Sequence, residues 1–170
     1  MLSSSPLAPK RLSLDQIAAL LRSKEIGVFA GVDLCDIDLR ILDLTHANLS
    51  GANLRGVDLS GVALVMVNLT GASLVEADLS AANLTDATLW MSDLTGARLP
   101  SANLTGAYLA GAKLCGADLS NATLLDANLW KADLRDANLE GADLDGAIFR
   151  QTNLDGATGI SRSHNERTQD

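Results

Sequence analysis

The chain repeats itself every five residues, and this short period limits the folds that it can adopt. Counting in fives from position 34 to position 154 gives 25 central positions, of which 24 are Leu and one is Phe149. Ala lies two residues before the central residue in 17 repeats, and Asp or Asn lies one residue before it in 17 repeats. The unit therefore reads Ala-(Asp/Asn)-Leu-x-x, and an internal repeat of this kind decides the architecture of the whole chain.

Neither one helix nor one long strand fits a period of five. On a helix, steps of five residues scatter the leucines around the cylinder. In a long strand, an odd period places alternate leucines on opposite faces. A short extended piece followed by a corner fits the pattern. Corners at this spacing wind the chain into a solenoid with Leu and Ala inside, in which each coil depends on its neighbours to bury its edges.

Glycine and proline lie where such corners require them. Twelve of the 14 glycines lie two residues after a central position, which is the third residue of the predicted turn. A type II turn needs a positive φ there, which glycine adopts without steric cost. Pro100 lies at the second turn residue, where its fixed φ suits the same turn. Corners without glycine, such as Ile41, Met66 and Glu76, are predicted to use other turns.

With these repeats in register from Val32 to Gly156, the chain resembles the pentapeptide repeat proteins, in particular their Leu-centred type, which is common in cyanobacteria. The resemblance implies an all-β fold, a right-handed quadrilateral β-helix with one pentapeptide on each side and about 20 residues in each coil. Six coils or so would then form a rod roughly 30 Å long.

The sequence outside the repeat predicts how the rod ends. Ser13 and Gln16 have the spacing of a capping box, and an apolar stripe follows them, so we expect a short capping helix on the first coil, about Leu14 to Lys24. We divide the chain into an N-terminal segment (1–11), the capping helix (12–26), the β-helix (27–156) and a C-terminal tail (157–170). Phe29 and Phe149, near the two ends, are interpreted as plugs of the core.

The composition argues against several classes of function. The 13 Lys and Arg and 21 Asp and Glu give a net charge of −8, which opposes direct binding of nucleic acid. No apolar run approaches the length of a membrane span, and the start lacks the apolar stretch of a secretory signal, so we expect a cytoplasmic protein without membrane contact. Cys35 and Cys115 are predicted to lie four coils apart, too far for a disulfide.

Catalytic and metal-binding arrangements find little support. His46 and His164 have no Ser or Cys at a stacking distance along the coils, so no nucleophile and base can be paired, and we expect neither an enzyme nor a cofactor. Asp38, Asp58 and Asp78 would stack in one column, and adjacent carboxylates of this kind can coordinate Ca²⁺. The alternative, that Asp and Asn serve the backbone of each side, is preferred, and we predict no metal site.

The acidic surface defines one candidate site. Residues 32–156 contain 7 Lys and Arg and 17 Asp and Glu. An acidic column of Asp38, Asp58, Asp78 and Asp118 is predicted, and an acidic rod imitates DNA to a protein that binds phosphates. The resemblance implies that some family members protect DNA gyrase in this way. The nearly uniform Leu centres, and the lack of a predicted helix after Ile160, depart from those members. Ordinary acidic solubility is the simpler interpretation.

Aromatic residues define the second candidate site. Trp90 and Trp130 are predicted to share an outward column, two coils or about 9.6 Å apart, with Ala110 as a notch between them. The other members of this candidate interaction face are Met91, Tyr108, Ile148 and Arg150. Exposed Trp, Tyr and Arg are typical binding anchors. The alternative is that each Trp lies flat along the sheet and covers its neighbours.

These observations favour a non-enzymatic scaffold or protein-interaction module. We expect a monomer or weak dimer that binds a protein partner, or a second copy, through the aromatic face. The alternative function is a DNA-mimicking rod that binds a DNA-binding protein such as DNA gyrase.

Overall fold

The β-structure of the protein is a stack of coils joined by parallel β-bridges between residues 20 apart. The structure is a computed structural model, and it describes residues 13, 15–17, 19, 29–35 and 37–160. Twenty bridges run from Asp33 with Asn53 to Asn138 with Thr158. They recur every five residues, for instance at 48, 53, 58 and 63, so each coil has four sides. The stacking of residues 20 apart is therefore confirmed.

Each side contributes a single bridged residue rather than a longer strand. The bridged residue is the one just before the central residue, which is most often Asp or Asn. The remaining residues of each pentapeptide turn the corner. A corner every five residues leaves no room for a longer ladder, so the described part of the chain contains isolated bridges only.

Leucine and alanine fill the axis of the rod. Every central residue from Leu34 to Leu139 is buried, and so are Phe29 and Phe149 near the two ends. Each fully buried leucine contributes about 1.5–3 kcal/mol to folding through the hydrophobic effect. Two polar residues occupy inward alanine positions: the hydroxyls of Ser92 and Thr152 donate to the carbonyls of Leu89 and Leu129, both at 2.7 Å.

Backbone hydrogen bonds join every coil to the coils on either side. In a typical repeat, one N–H closes the corner, one donates to the preceding coil and two donate to the following coil. In the repeat 52–56 these are Ala52 to Leu49 (3.0 Å), Asn53 to Val32 (2.9 Å), Leu54 to Ser73 (2.7 Å) and Gly56 to Val75 (2.9 Å). Four of the five N–H groups are thereby satisfied without any side chain.

The Asp and Asn side chains satisfy the fifth N–H group. Their Oδ1 accepts from the backbone N–H two residues further on, as in Asn68 with Thr70 (3.0 Å) and Asp58 with Ser60 (2.9 Å). This Asx turn explains why Asp and Asn recur at one position of the repeat. Arg98 cannot accept such a bond, and the residue two positions on is Pro100, which has no N–H to donate.

Most corners without glycine adopt the same left-handed backbone as corners with it. Met66 and Glu76 have φ of 55° and 60°, so the prediction that they use other turns is wrong, whereas Ile41 is not among the residues of positive φ. The Met66 N–H donates to the Thr85 carbonyl of the next coil at 2.9 Å. This hydrogen bond to the next coil imposes the left-handed backbone at the corner whichever residue lies there. For a residue with a Cβ, that conformation costs about 1–2 kcal/mol.

Part of the predicted N-terminal cap lies within the described residues. The Ser13 N–H donates to Gln16 Oε1 at 2.8 Å, and the Gln16 N–H donates to Ser13 Oγ at 3.3 Å, so the capping box forms. Residues 15–17 and 19 are helical, and Ile17 is buried with the core of the rod. The rest of the predicted helix, including Leu14 and residues 20–24, lies outside the described residues.

The repeat ends at Gly159, which packs against the backbone of the preceding coil. A Cβ at this position would overlap the backbone of Leu139 and Glu140. Ile160 is half-buried against the core. Residues 161–170 of the predicted tail lie outside the described part. No helix among the described residues is long and apolar enough to cross a bilayer.

Candidate interaction surface

One of the four sides of the rod carries most of the exposed apolar surface. This aromatic side consists of the outward positions next to the central residues Leu49, Leu69, Leu89, Leu109, Leu129 and Phe149. Seven large apolar side chains are exposed in the described chain, and five of them lie here: Trp90, Met91, Tyr108, Trp130 and Ile148. Ile41 and Met66 lie on two other sides.

The stacked coils place these residues in adjacent columns. The carbonyls of Trp90, Ala110, Trp130 and Arg150 each accept a hydrogen bond from the preceding coil, so these four residues follow one another coil by coil. Tyr108 and Ile148 lie in the neighbouring column, linked through bridges to the residue between them. The predicted grouping of the rings on one side is therefore present, with Trp90 48% and Trp130 38% exposed.

The notch predicted at Ala110 is closed. Ala110 has no exposed surface, although it lies at an outward position between the two tryptophans. Beside it, the Met91 thioether lies over Gly111, where an added Cβ would come within 2.6 Å of the sulfur. The Met91 side chain therefore fills the space outside Gly111, the small residue next to Ala110. The aromatic side is thus a filled apolar surface rather than a pocket.

A lysine lies on one of the rings. Lys131 Nζ is 4.3 Å from the centroid of the Trp130 ring, which is a cation–π contact. Arg150 is exposed in the next coil, and its carbonyl accepts from the Lys131 N–H at 3.0 Å. Two cationic residues, Lys131 and Arg150, therefore adjoin Trp130.

No carboxylate lies on the aromatic side within the described part of the chain. Its outward positions are 48, 50 and 51 and their equivalents every 20 residues up to 148, 150 and 151, and none of them is Asp or Glu. Each of the other three sides carries at least five carboxylates at the corresponding positions. An acidic rod therefore has one side that is free of negative side chains.

The cations on the aromatic side differ from those elsewhere on the rod. Arg40, Arg55, Arg98, Lys113 and Arg135 each pair with a carboxylate at 2.7–3.4 Å. Lys131 and Arg150 form no ion pair with any described residue. Arg150 was predicted as a member of this side, whereas Lys131 and the absence of carboxylates were not, although both follow from the sequence when its outward residues are sorted by side.

Two arginines pair with three of the four aspartates of the acidic column. Arg40 contacts both Asp38 and Asp58 at 3.0 Å, and Arg98 contacts Asp78 at 3.4 Å. Asp118 lies beyond Arg98 and accepts from the Asn138 amide at 3.1 Å. Arg98 therefore interrupts the column and pairs with one of its carboxylates. The column is therefore not a bare line of negative charge.

Hydrogen bonds keep aspartates of this column ionised. The Arg40 guanidinium donates to Asp38 and lowers the pKa of that carboxyl below its ordinary value. The Ser60 hydroxyl does the same for the pKa of Asp58. Both carboxylates are committed to neighbours within the rod.

The described residues offer no arrangement typical of catalysis or of metal binding. No group of three or more His, Cys, Asp or Glu side chains in the described part could hold a metal ion. Cys35 and Cys115 are half-buried, and neither forms a disulfide. His164 lies outside the described residues, and His46 lies at an exposed corner.

The sequence and fold match known proteins. The profile of the family described as pentapeptide repeats matches in eight copies, at residues 28–62, 64–99, 102–141 and 132–158. A comparison with curated proteins gave no match. The likeness implies a right-handed quadrilateral β-helix.

Solved structures of several proteins are similar to this chain. Rfr23, a pentapeptide repeat protein from the cyanobacterium Cyanothece 51142, is 43% identical over 49% of this chain, with a TM-score of 0.48; this chain spans 58% of it. QnrB1, a plasmid-mediated fluoroquinolone resistance protein, is 22% identical in a trypsin-treated form, over 79% of this chain and 69% of its own, with a TM-score of 0.68. A pentapeptide repeat protein of the Arabidopsis thaliana thylakoid lumen is 25% identical, over 81% and 74%, with a TM-score of 0.31.

Proposed function

The chain belongs to the family of pentapeptide repeat proteins, and we propose that it is a non-enzymatic interaction module whose aromatic side binds a protein partner. One observation carries the proposal: five of the seven exposed large apolar side chains of the described chain lie on one side of a four-sided rod. Apolar patches of this kind on a soluble domain mark interaction sites.

The rigidity of the rod supports this role. Every coil is bonded to its neighbours, so the spacing between Trp90 and Trp130 is set by the backbone at two coils, about 9.6 Å. Anchors held in this way bind without the entropic cost of ordering a loop. Trp and Tyr are also the residues that most often dominate the free energy of binding at an interface.

The acidic alternative makes a different prediction. A DNA-mimicking rod would need exposed and unpaired carboxylates along one line. Asp38, Asp58 and Asp78 are instead paired with arginines, which reduces the negative potential that a DNA-binding protein would meet. QnrB1 has a similar fold at 22% identity, and we draw no function from that likeness. The proposal therefore rests on the aromatic side.

Affinity capture with matched variants tests the proposal. The full chain, its Trp130→Ala variant and its Met66→Ala variant would be immobilised and exposed to an extract of the native host at low and high salt. Retained proteins would then be purified and titrated against each bait. Met66 is the control, because it is 52% exposed and apolar but lies on another side.

We expect Trp130→Ala to weaken binding by at least 2 kcal/mol and Met66→Ala to change it little. A partner that tolerates Trp130→Ala, but is lost at high salt and on replacing Asp58 and Asp118 by Asn, would contradict the proposal and favour the DNA mimic. Light scattering on the purified chain would show whether the partner is a second copy.

A further inference from the structure

We propose that the aromatic side binds an acidic protein segment that also carries apolar side chains. The inference rests on the proposed function and adds the charge and chemistry of the partner. The partner is then acidic, although the net charge of −8 on this chain by itself favours a basic partner.

The first observation is the distribution of charge over the four sides. The outward positions of the aromatic side contain no carboxylate within the described residues, whereas each other side carries at least five. An acidic segment approaching this side meets no carboxylate at its outward positions. On any other side it would meet several, and juxtaposed like charges at an interface cost several kcal/mol.

The second observation is that the two cations of this side are available. Lys131 and Arg150 form no ion pair with a described residue, while the other five cations of the described rod are paired. Adjacent coils hold the two residues next to each other, with a backbone hydrogen bond of 3.0 Å from Lys131 to Arg150. Carboxylates of a partner would form charge-assisted hydrogen bonds with both cations.

The third observation is that these cations adjoin apolar anchors. Lys131 Nζ lies 4.3 Å from the Trp130 ring centroid, and Ile148 is 48% exposed in the neighbouring column. A segment that is only acidic would leave Trp90, Tyr108 and Trp130 in water. Apolar and acidic side chains together satisfy both parts of the surface.

Two other occupants fit less well. Nucleic acid would find two unpaired cations among the described residues of a chain with a net charge of −8, and its affinity depends on the number of phosphates neutralised. A second copy docking by the same side would offer no carboxylate to these two cations, because the outward positions of that side carry none. A protein segment of opposite charge avoids both difficulties.

Selection from random peptides tests the chemistry without choosing a sequence in advance. Short random peptides displayed on phage would be selected on the full chain and counter-selected on a variant with Trp90→Ala and Trp130→Ala. We expect the enriched peptides to contain more Asp and Glu than the starting library, together with aromatic or aliphatic residues. Because Trp90 and Trp130 are the only tryptophans, their fluorescence would then report binding of the best peptide directly.

Charge reversal supplies the matched comparison. The variant Lys131→Glu with Arg150→Glu should weaken binding of that peptide roughly tenfold or more. The variant Arg55→Glu with Lys113→Glu has the same change in net charge on the neighbouring side and should change binding less than about twofold. Circular dichroism and thermal melting of both variants would verify that the rod remains folded.

Four results of these experiments would overturn the inference that the partner segment is acidic and apolar. Enrichment that depends on the tryptophans but yields neutral or basic peptides would overturn this inference and leave the proposed function intact. Enrichment that does not depend on the tryptophans would overturn both. Tighter binding of a single-stranded oligonucleotide than of any selected peptide, or self-association of the chain that Lys131→Glu abolishes, would also overturn it.

Discussion

The guanidinium of Arg40 lies 3.0 Å from a carboxylate oxygen of Asp58, one coil further along the rod. The same guanidinium contacts Asp38 in its own coil at 3.0 Å. No backbone bridge joins residues 38 and 58 in this structure, although bridges join the equivalent residues of the following coils. At the start of the rod, an ion pair thus connects two coils where the backbone does not.

Acidification should destabilise the rod, although the chain is acidic. The pKa values of Asp38, Asp43, Asp58 and Asp133 are lowered by hydrogen bonds in the folded state. A group whose pKa falls on folding stabilises the protein above its unfolded pKa, and this contribution is lost as the pH drops through the folded value. The melting temperature should therefore be constant between about pH 5 and pH 8 and fall below about pH 4. Thermal melts across this range would measure it; a rise on acidification would instead mean that relief of net repulsion dominates.

Removing one Asx hydrogen bond should destabilise the rod modestly. In Asn68→Ala, the Thr70 N–H loses its acceptor at 3.0 Å, and we expect a loss of about 1 kcal/mol in the free energy of unfolding. Thr123→Ala is the control, because Thr123 occupies the same position of the repeat without serving as an Asx cap. Urea denaturation would compare the two.

Adding an Asx acceptor at a repeat that lacks one should stabilise the rod. Ala63 also occupies this position, and Ala63→Asn would offer an acceptor to the Val65 N–H. We expect a gain of up to about 1 kcal/mol in the same urea measurement. Equal effects of Asn68→Ala and Thr123→Ala, or a loss of stability in Ala63→Asn, would contradict the role given to the Asx turn.

Two glycines of similar φ should respond differently to a methyl group. In Gly116→Ala the added Cβ meets nothing within 4 Å, so we expect only the cost of a left-handed alanine, about 1 kcal/mol. In Gly159→Ala the Cβ would overlap the backbone of Leu139, and the terminal residues should detach. Hydrogen exchange would show this as faster exchange of the Leu139 and Thr158 amides, which bond across these coils at 3.0 and 2.9 Å. Unchanged exchange at both amides would contradict the close packing at Gly159.

The cation on Trp130 should be detectable with charged quenchers. In a Trp90→Phe background, Trp130 is the sole tryptophan, and Lys131 Nζ lies 4.3 Å from its ring. Lys131→Gln should reduce quenching by iodide, which the ammonium attracts, and should leave quenching by neutral acrylamide nearly unchanged. Stern–Volmer plots with both quenchers provide the measurement. A parallel change in both would indicate altered exposure of the ring rather than altered charge.

The period of five was sufficient to predict the stacked coils, because Leu at every fifth residue can be buried in few other ways. It was insufficient for the corners at Met66 and Glu76. Local preference disfavours positive φ for these residues, but hydrogen bonds to the next coil impose it. The grouping of Trp90, Tyr108 and Trp130 also followed from residue spacing. The closed surface at Ala110 did not, because side-chain conformation is not encoded in the spacing.

The 20-residue coil has an evolutionary consequence. Duplication of a DNA segment encoding one complete coil lengthens the protein but leaves every later residue on its original side. Duplication of a single pentapeptide between Trp90 and Trp130 rotates everything downstream by a quarter turn, so Trp130 and Arg150 would no longer align with Trp90. Selection for a shared surface should therefore tolerate growth in multiples of four repeats and remove insertions of one, two or three.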